Sequence, residues 1–226
     1  MAHVAECISK CYELDENFSV LESGVCITQD ETSVESEIWI EQQKNVWLVE
    51  PSLESYRTGR DRNLQILNFA ISDHVGEVEF YSFKEVGWSY TNDAKNNDAK
   101  MNNGRLLDSY FVPCTTFENI QKIADVLFDI MILDIEGSES LVLKDMKKMD
   151  KTLLPKVMCI ECGFDWQTRK QLVKDLGYEL DFYFENNAYF SIPNSIKKNH
   201  NNMLSRNLMW PKFIYNNEII YINDAI

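Results

Sequence analysis

Short apolar runs alternate with helix-period segments along most of the chain. Residues 4–14 read as a short helix. A strand follows at Phe18-Ser19-Val20-Leu21, then a helix over Ser33–Gln43, a strand at Asn45–Val49, a helix over Ser52–Arg60 and a strand over Leu64–Ile71. The rhythm resumes with helices over Phe117–Val126, Glu139–Met149 and Trp166–Leu176, and strands at Phe128–Leu133, Lys156–Glu161 and Tyr178–Phe184. Continuous apolar runs rich in β-branched residues fit strands buried on both faces. Strands of that kind, each followed by a helix, predict a doubly wound α/β fold with a mostly parallel sheet and right-handed crossovers.

Two places break the rhythm. Between Gly76 and Pro113, Glu77-Val78-Glu79-Phe80-Tyr81-Ser82-Phe83 alternates as an antiparallel strand does, and Tyr110–Thr115 supplies a second such run. The Asn/Asp/Lys-rich stretch between them, residues 92–103, carries too little apolar surface to order itself, so this segment reads as an inserted β-hairpin with a solvated tip. Near the other end, Tyr178–Phe184 and Ala188–Ile192 flank Glu185-Asn186-Asn187, a hairpin turn signal, so the sheet should close with an antiparallel strand. The tail from Asn194 is polar, with aromatic residues returning at Trp210, Phe213, Tyr215 and Tyr221. We read residues 1–226 as one domain, with a core of about 18–193 and a polar extension over 194–226.

Charge narrows the function classes. The net charge of −14, from 22 basic against 36 acidic residues, repels phosphate backbones, and no basic groove offsets it, so nucleic acid is not an expected partner. No apolar run approaches membrane-spanning length and the N-terminus lacks a signal-peptide pattern, which predicts a soluble, cytoplasmic protein. Cys159 and Cys162 lie three apart on a strand, pointing to opposite faces, and Cys7 and Cys11 share a helix face. A four-cysteine zinc site is poorly set up by that spacing, and reduced thiols are expected.

The chemistry concentrates at Asp134-Ile135-Glu136-Gly137-Ser138-Glu139, where a buried strand ends in acids and a glycine. Gly137 makes the turn, Ser138 is placed to cap the next helix, and Glu139 lies in its first turn, where the macrodipole favours an anion. In open α/β sheets ligands bind at such corners, at the carboxyl ends of strands. Five successive strands end at or near an acid: Glu22, Glu50, Asp73, Asp134 and Glu161. A carboxylate closing the second strand can accept both ribose hydroxyls of an adenosine cofactor, and Pro51 stops that strand so that Glu50 stands at the rim. Asp134 and Glu161 end neighbouring strands, so they could activate a hydroxyl, orient a substrate or share a divalent cation such as Mg²⁺. His74 and His200 are alternative bases, and Trp88-Ser89-Tyr90 could wall an acceptor site. A nicotinamide dehydrogenase is excluded by the missing G-x-G-x-x-G after the first strand.

Asn45-Val46-Trp47-Leu48-Val49-Glu50-Pro51, then Asn68-Phe69-Ala70-Ile71-Ser72-Asp73 with Gly76, then Asp134–Glu139, Ile160-Glu161 and Leu176-Gly177-Tyr178 resemble, in order and spacing, the FkbM-type methyltransferases over about residues 18–193. The resemblance implies a Rossmann-like class I methyltransferase fold, a seven-stranded sheet whose last strand is antiparallel, and S-adenosylmethionine (SAM) as cofactor. It implies O-methylation of a hydroxyl on a sugar, glycan or natural product. Carried onto this chain, it places cofactor binding at Glu22, Gly24, Glu50, Pro51, Ala70, Ile71 and Asp134, and catalysis at Asp134, Glu136 and Glu161. The first loop departs from the family pattern, since Leu21–Thr28 holds one glycine, Gly24, where several are usual. Either Gly24 suffices, with Ser23 and Thr28 adding polar contacts, or the chain is a catalytically degenerate relative that serves as a binding or scaffold protein.

Overall fold

The computed structural model describes residues 4–29, 32–83, 89–91, 106–163, 165–206, 212–215 and 218–221. The strands in chain order are β1 (Ser19–Ser23), β2 (Cys26–Ile27), β3 (Thr32–Ser33), β4 (Asn45–Val49), β5 (Ile66–Leu67), β6 (Ala70–Ile71), β7 (Gly76–Phe83), β8 (Tyr90–Thr91) and β9 (Leu106–Thr115). They continue with β10 (Ile130–Leu133), β11 (Val157–Glu161), β12 (Glu179–Phe184), β13 (Asn187–Ser191), β14 (Lys212–Tyr215) and β15 (Glu218–Tyr221). The principal sheet has seven strands in the order β12-β13-β11-β10-β1-β4-β5. β1 runs parallel to β4 and β10, β10 to β11 and β4 to β5, while β13 is antiparallel to both its neighbours. The antiparallel strand is therefore the last of this sheet in sequence, as expected, and it sits between β11 and β12 rather than at the edge.

Side-chain alternation along the central strands supplies two core layers. Leu21, Met131, Leu133, Met158 and Ile160 face the helices Phe117–Ala124, Glu139–Met146 and Trp166–Leu176. Val20, Ile130, Ile132, Val157 and Cys159 face the helices Val4–Cys11 and Glu37–Glu41. None of the six cysteines is bridged to another.

Three expected elements differ. The single strand over Leu64–Ile71 is two: β5 pairs with β4, whereas β6 pairs with β9 in a separate four-stranded sheet, β6-β9-β7-β8. The break falls at Asn68, whose Nδ2 donates to the Glu50 and Pro51 carbonyls (both 3.0 Å) and so turns the chain off the first sheet. The helix expected over Ser33–Gln43 is confined to Glu37–Glu41, because Ser33 pairs with Cys26 and the Glu22 carboxylate takes the backbone N–H groups of Glu35 and Ser36. The second strand of the inserted hairpin is longer than Tyr110–Thr115, starting at Leu106, and the tip at 92–103 lies outside the described residues. In the C-terminal extension, Lys198 bridges to Tyr12 and Met203 joins the core beside the first helix.

Register fixes what shares the carboxyl edge. Ser23 stands beside both Leu133 and Val49, Leu133 beside Ile160, and Val49 beside Leu67. One step on, Glu161, Asp134, Gly24, Glu50 and Asn68 form a single row across five adjacent strands. Gly24 closes the middle of that row at φ +94°, its N–H donating to the Val49 carbonyl (3.2 Å). A Cβ there would lie 1.5 Å from the Asp134 carbonyl oxygen, so both the conformation and the space require glycine. Gly24→Ala is expected to destabilise the fold by about 3 kcal/mol or more. Gly76→Ala, whose Cβ would meet nothing nearer than 3.5 Å, is expected to stay within about 0.5 kcal/mol of wild type in the same denaturation series. Equal losses at the two positions would refute the reading of Gly24 as a steric requirement.

Candidate active site

At the end of β10, Asp134 is half-buried, and its N–H donates to the Ser23 carbonyl (3.1 Å). Burial first, and then the neighbouring Glu161, Glu136 and Glu139, hold its carboxyl well above the usual carboxylate range. Glu136 follows in the left-handed region (φ +56°) and Gly137 at φ +114°, so the corner reverses within two residues. A non-glycine residue there is strained, and such strain persists only where surrounding contacts over-determine it.

Those contacts come from Glu139. Its side chain, 0 % exposed, folds back from the first turn of the helix Glu139–Met146: Oε1 accepts from the Ile135 N–H (3.0 Å) and Oε2 from the Gly137 N–H (3.1 Å). Oε2 also pairs with Arg169 Nη2 at 2.8 Å. Arg169 comes from the helix Trp166–Leu176 and is 2 % exposed; its Nη1 donates to the Glu161 carbonyl at the end of β11 (2.9 Å). Gly163 leaves the room for this guanidinium, since a Cβ there would come within 3.1 Å of Nη1. Ser138 occupies the capping position but does not cap: its hydroxyl instead pairs with Thr91 Oγ1 of β8 (2.9 Å), tying the second sheet to the corner.

Glu50 lies in the same row as Asp134, two strands away, roughly 10 Å by strand spacing. It is 6 % exposed; Oε1 accepts from the Ser52 N–H (2.8 Å), and burial pushes its carboxyl up to about 8. Pro51 follows, before Ser52 caps the helix Leu53–Asp61. Glu22 lies inside β1 rather than at its end, and its oxygens accept from the Glu35 N–H (2.7 Å), the Ser36 N–H (2.9 Å) and the Ser36 hydroxyl. Burial raises it to about 7 against those hydrogen bonds. Ala70 and Ile71 are buried in β6, opposite Cys114 and Thr115.

The structure thus brings together Asp134, Glu136, Glu161, Gly24 and Glu50, and carries Ala70 and Ile71 on the second sheet, with Asp73 in the bend between β6 and β7. His74 Nδ1 lies 2.9 Å from Asp73 Oδ1 and Nε2 lies 3.4 Å from Cys114 Sγ, while His200 is exposed at the start of the helix His200–Arg206. Trp88 lies outside the described residues. Oxygens of Asp134, Glu139 and Glu161 stand within 4.8 Å of one another, the spacing at which a divalent cation is shared. A cleft of about 300 Å³ occurs at the opposite edge of the sheet, beside Phe18, Asp129 and Lys156, but its lysines are already paired: Lys156 with Asp129 at 2.8 Å and Lys197 with Glu13 at 3.2 Å. The carboxyl edge, with its close and partly buried acids, is the chemically equipped one.

Arg169 is the member of this site that the sequence reading did not single out. Its signal is periodic: Trp166, Arg169, Leu172, Val173 and Leu176 are the buried positions of one helix, and Arg169 alone among them is charged. A cation in the first turn also opposes the macrodipole.

The profile of the methyltransferase FkbM domain matches residues 24–191. A methyltransferase FkbM from Methylobacillus flagellatus KT, solved by crystallography, is similar in structure at 12 % identity and a TM-score of 0.48, with 79 % of this chain and 44 % of that one covered. The chain thus spans less than half the length of that protein. No curated protein matches it significantly. Among the described residues no helix is long and apolar enough to cross a membrane. With a match that takes in the row of acids, the D-x-E-G-x-E corner and the antiparallel closing strand, the chain belongs to the FkbM methyltransferase family.

Proposed function

We propose that the protein is a SAM-dependent O-methyltransferase acting on a hydroxyl of a sugar, glycan or natural product. The observation that carries this reading is the single row Glu161-Asp134-Gly24-Glu50 at the carboxyl edge, within a family of methyltransferases. Glu50 fits an adenosine ribose: it is a buried acceptor with one backbone donor on it, from Ser52, and a carboxylate has capacity for about four hydrogen bonds. When bound, the cofactor supplies an electrophilic methyl on a positively charged sulfur.

The chain's own part is alignment and proton removal. Glu50 holds the ribose end, two strands from Asp134. Asp134 accepts the proton of the acceptor hydroxyl, and its raised proton affinity makes it a stronger base than an ordinary carboxylate. Glu161 and Glu136 orient that hydroxyl. A cation entering this edge favours ionised acids, which is the state a base requires. The spacing of Asp134, Glu139 and Glu161 supports a second way to relieve their repulsion, a bound Mg²⁺; loss of transfer on chelation, restored by Mg²⁺, would select it. The non-catalytic alternative predicts little or no heat when SAM is titrated into the protein.

Glu50→Ala is expected to weaken SAM and S-adenosylhomocysteine binding about thirtyfold or more, the value of two hydrogen bonds to a charged acceptor. Calorimetry checks it, and unchanged affinity removes the ribose assignment.

Binding should also depend on pH. The ionised Glu50 accepts ribose hydroxyls, so below about 8 the free protein must lose a proton to bind. Affinity should rise from pH 6 towards 8, by at most about tenfold per unit, and level off above. A Glu50→Gln variant should lose this component; the same slope in both proteins would place the titration elsewhere.

Asp134→Asn keeps the shape of the side chain and leaves the backbone contact with Gly24 intact. It is expected to fold normally, to bind SAM within a few-fold, and to lose about a hundredfold or more in transfer of tritiated methyl to a panel of sugars, glycans and polyketide alcohols. Wild-type turnover in this variant would take the proton-accepting role away from Asp134.

A further inference from the structure

We infer that Arg169 is a positioning residue: by bridging the corner after β10 to the end of β11, it sets where the Asp134 and Glu161 carboxylates stand relative to a bound sulfonium. The inference rests on the reading of this edge as a SAM site.

The bridge is continuous. Arg169 Nη2 meets Glu139 Oε2 at 2.8 Å and Nη1 meets the Glu161 carbonyl at 2.9 Å. Glu139 in turn accepts the N–H groups of Ile135 and Gly137, which flank Glu136 and follow Asp134 directly. One planar guanidinium thus joins the two loops that carry the acids, a geometry that a lysine ammonium cannot reproduce at both ends. Gly163 is matched to it, since any side chain there would press on the Nη atoms. Helix stability does not explain an arginine here. Arg169 lies in the first turn of Trp166–Leu176, where a cation opposes the macrodipole, and it is buried at a core position of that helix. Neutralising a buried acid does not explain it fully either. An isolated pair serves that purpose, whereas the second Nη contact is with a neutral carbonyl on another strand.

Positioning and mere charge balance can be separated with a charge-neutral change. Arg169→Met with Glu139→Gln removes one charge of each sign, and a glutamine oxygen at the Oε1 position can still accept from Ile135 (3.0 Å) and Gly137 (3.3 Å), so the charge balance is kept while the link between the two loops is lost. Titration of SAM and of S-adenosylhomocysteine, which differ by the methyl and its positive charge, reports how the acids face that charge. In the double variant the ratio of SAM to S-adenosylhomocysteine affinity is expected to shift against SAM by roughly tenfold, with homocysteine-form binding little changed. The same ratio as wild type would overturn the positioning role and leave Arg169 as a structural counter-ion. Equal weakening of both ligands would overturn it too, since it would report a general loss of the fold. Should the double variant fail to fold, Arg169→Lys carries the same test: it keeps the charge but reaches one partner, and the ratio must still fall. Wild-type protein that binds neither ligand would instead refute the SAM reading itself.

Discussion

The buried pair between Arg169 and Glu139 is the constraint on which the carboxyl edge depends. Acids outnumber bases in this chain, 36 to 22, and Asp134, Glu136, Glu139 and Glu161 gather around one corner. Such a cluster repels itself unless something positive lies within it. Arg169 reaches both loops, and removing it alone would leave Glu139 as a buried charge without its cation, a loss of about 3–5 kcal/mol in typical cases. Replacement of such pairs by apolar residues often costs nothing in stability. That this one stands beside partly open acids and also reaches a second strand end points to the geometry it imposes rather than to the stability it adds.

The acids at this edge divide by what their oxygens touch. Glu22 and Glu139 turn inward and take backbone N–H groups, so they shape loops: the start of Glu37–Glu41 in one case, the Ile135–Gly137 reversal in the other. Asp134 and Glu50 stand in the row one step beyond the last paired residues, and burial raises both. A strand-terminal acid is therefore not one kind of residue. How many backbone N–H groups its oxygens hold separates the acid that shapes a loop, as Glu22 does with two, from Glu50, which holds one.

This distinction also marks how far the chain could be read from its residues. Continuous apolar runs such as Ile130–Leu133 and Val157–Ile160 identify strands buried on both faces, and their parallel order follows from the helices between them. The row of acids follows in turn, because each run ends where the polar residues begin. What could not be read depends on single side chains acting across the fold. Asn68 diverts the third strand by capturing two carbonyls, Ser138 gives up a cap for Thr91, and Glu22 shortens a helix from another strand. Local propensity carries no information about a partner 47 residues away. Arg169 is intermediate: its place on a buried helical face was visible, its two partners were not.

The glycine-poor first loop looks different once Gly24 is placed. Its amide is used on the Val49 carbonyl and its missing side chain admits the Asp134 carbonyl, so this glycine serves the meeting of β1, β4 and β10. Gly24 is therefore required by the convergence of three strands, independently of how the loop backbone approaches a ligand. A second or third glycine would add conformational entropy to the unfolded chain without relieving any contact at this junction. The sparse loop is thus no argument for a lost site, and the proposed activity rests instead on Glu50, Asp134 and Glu161 sharing one row, a relation that Gly24 itself makes sterically attainable.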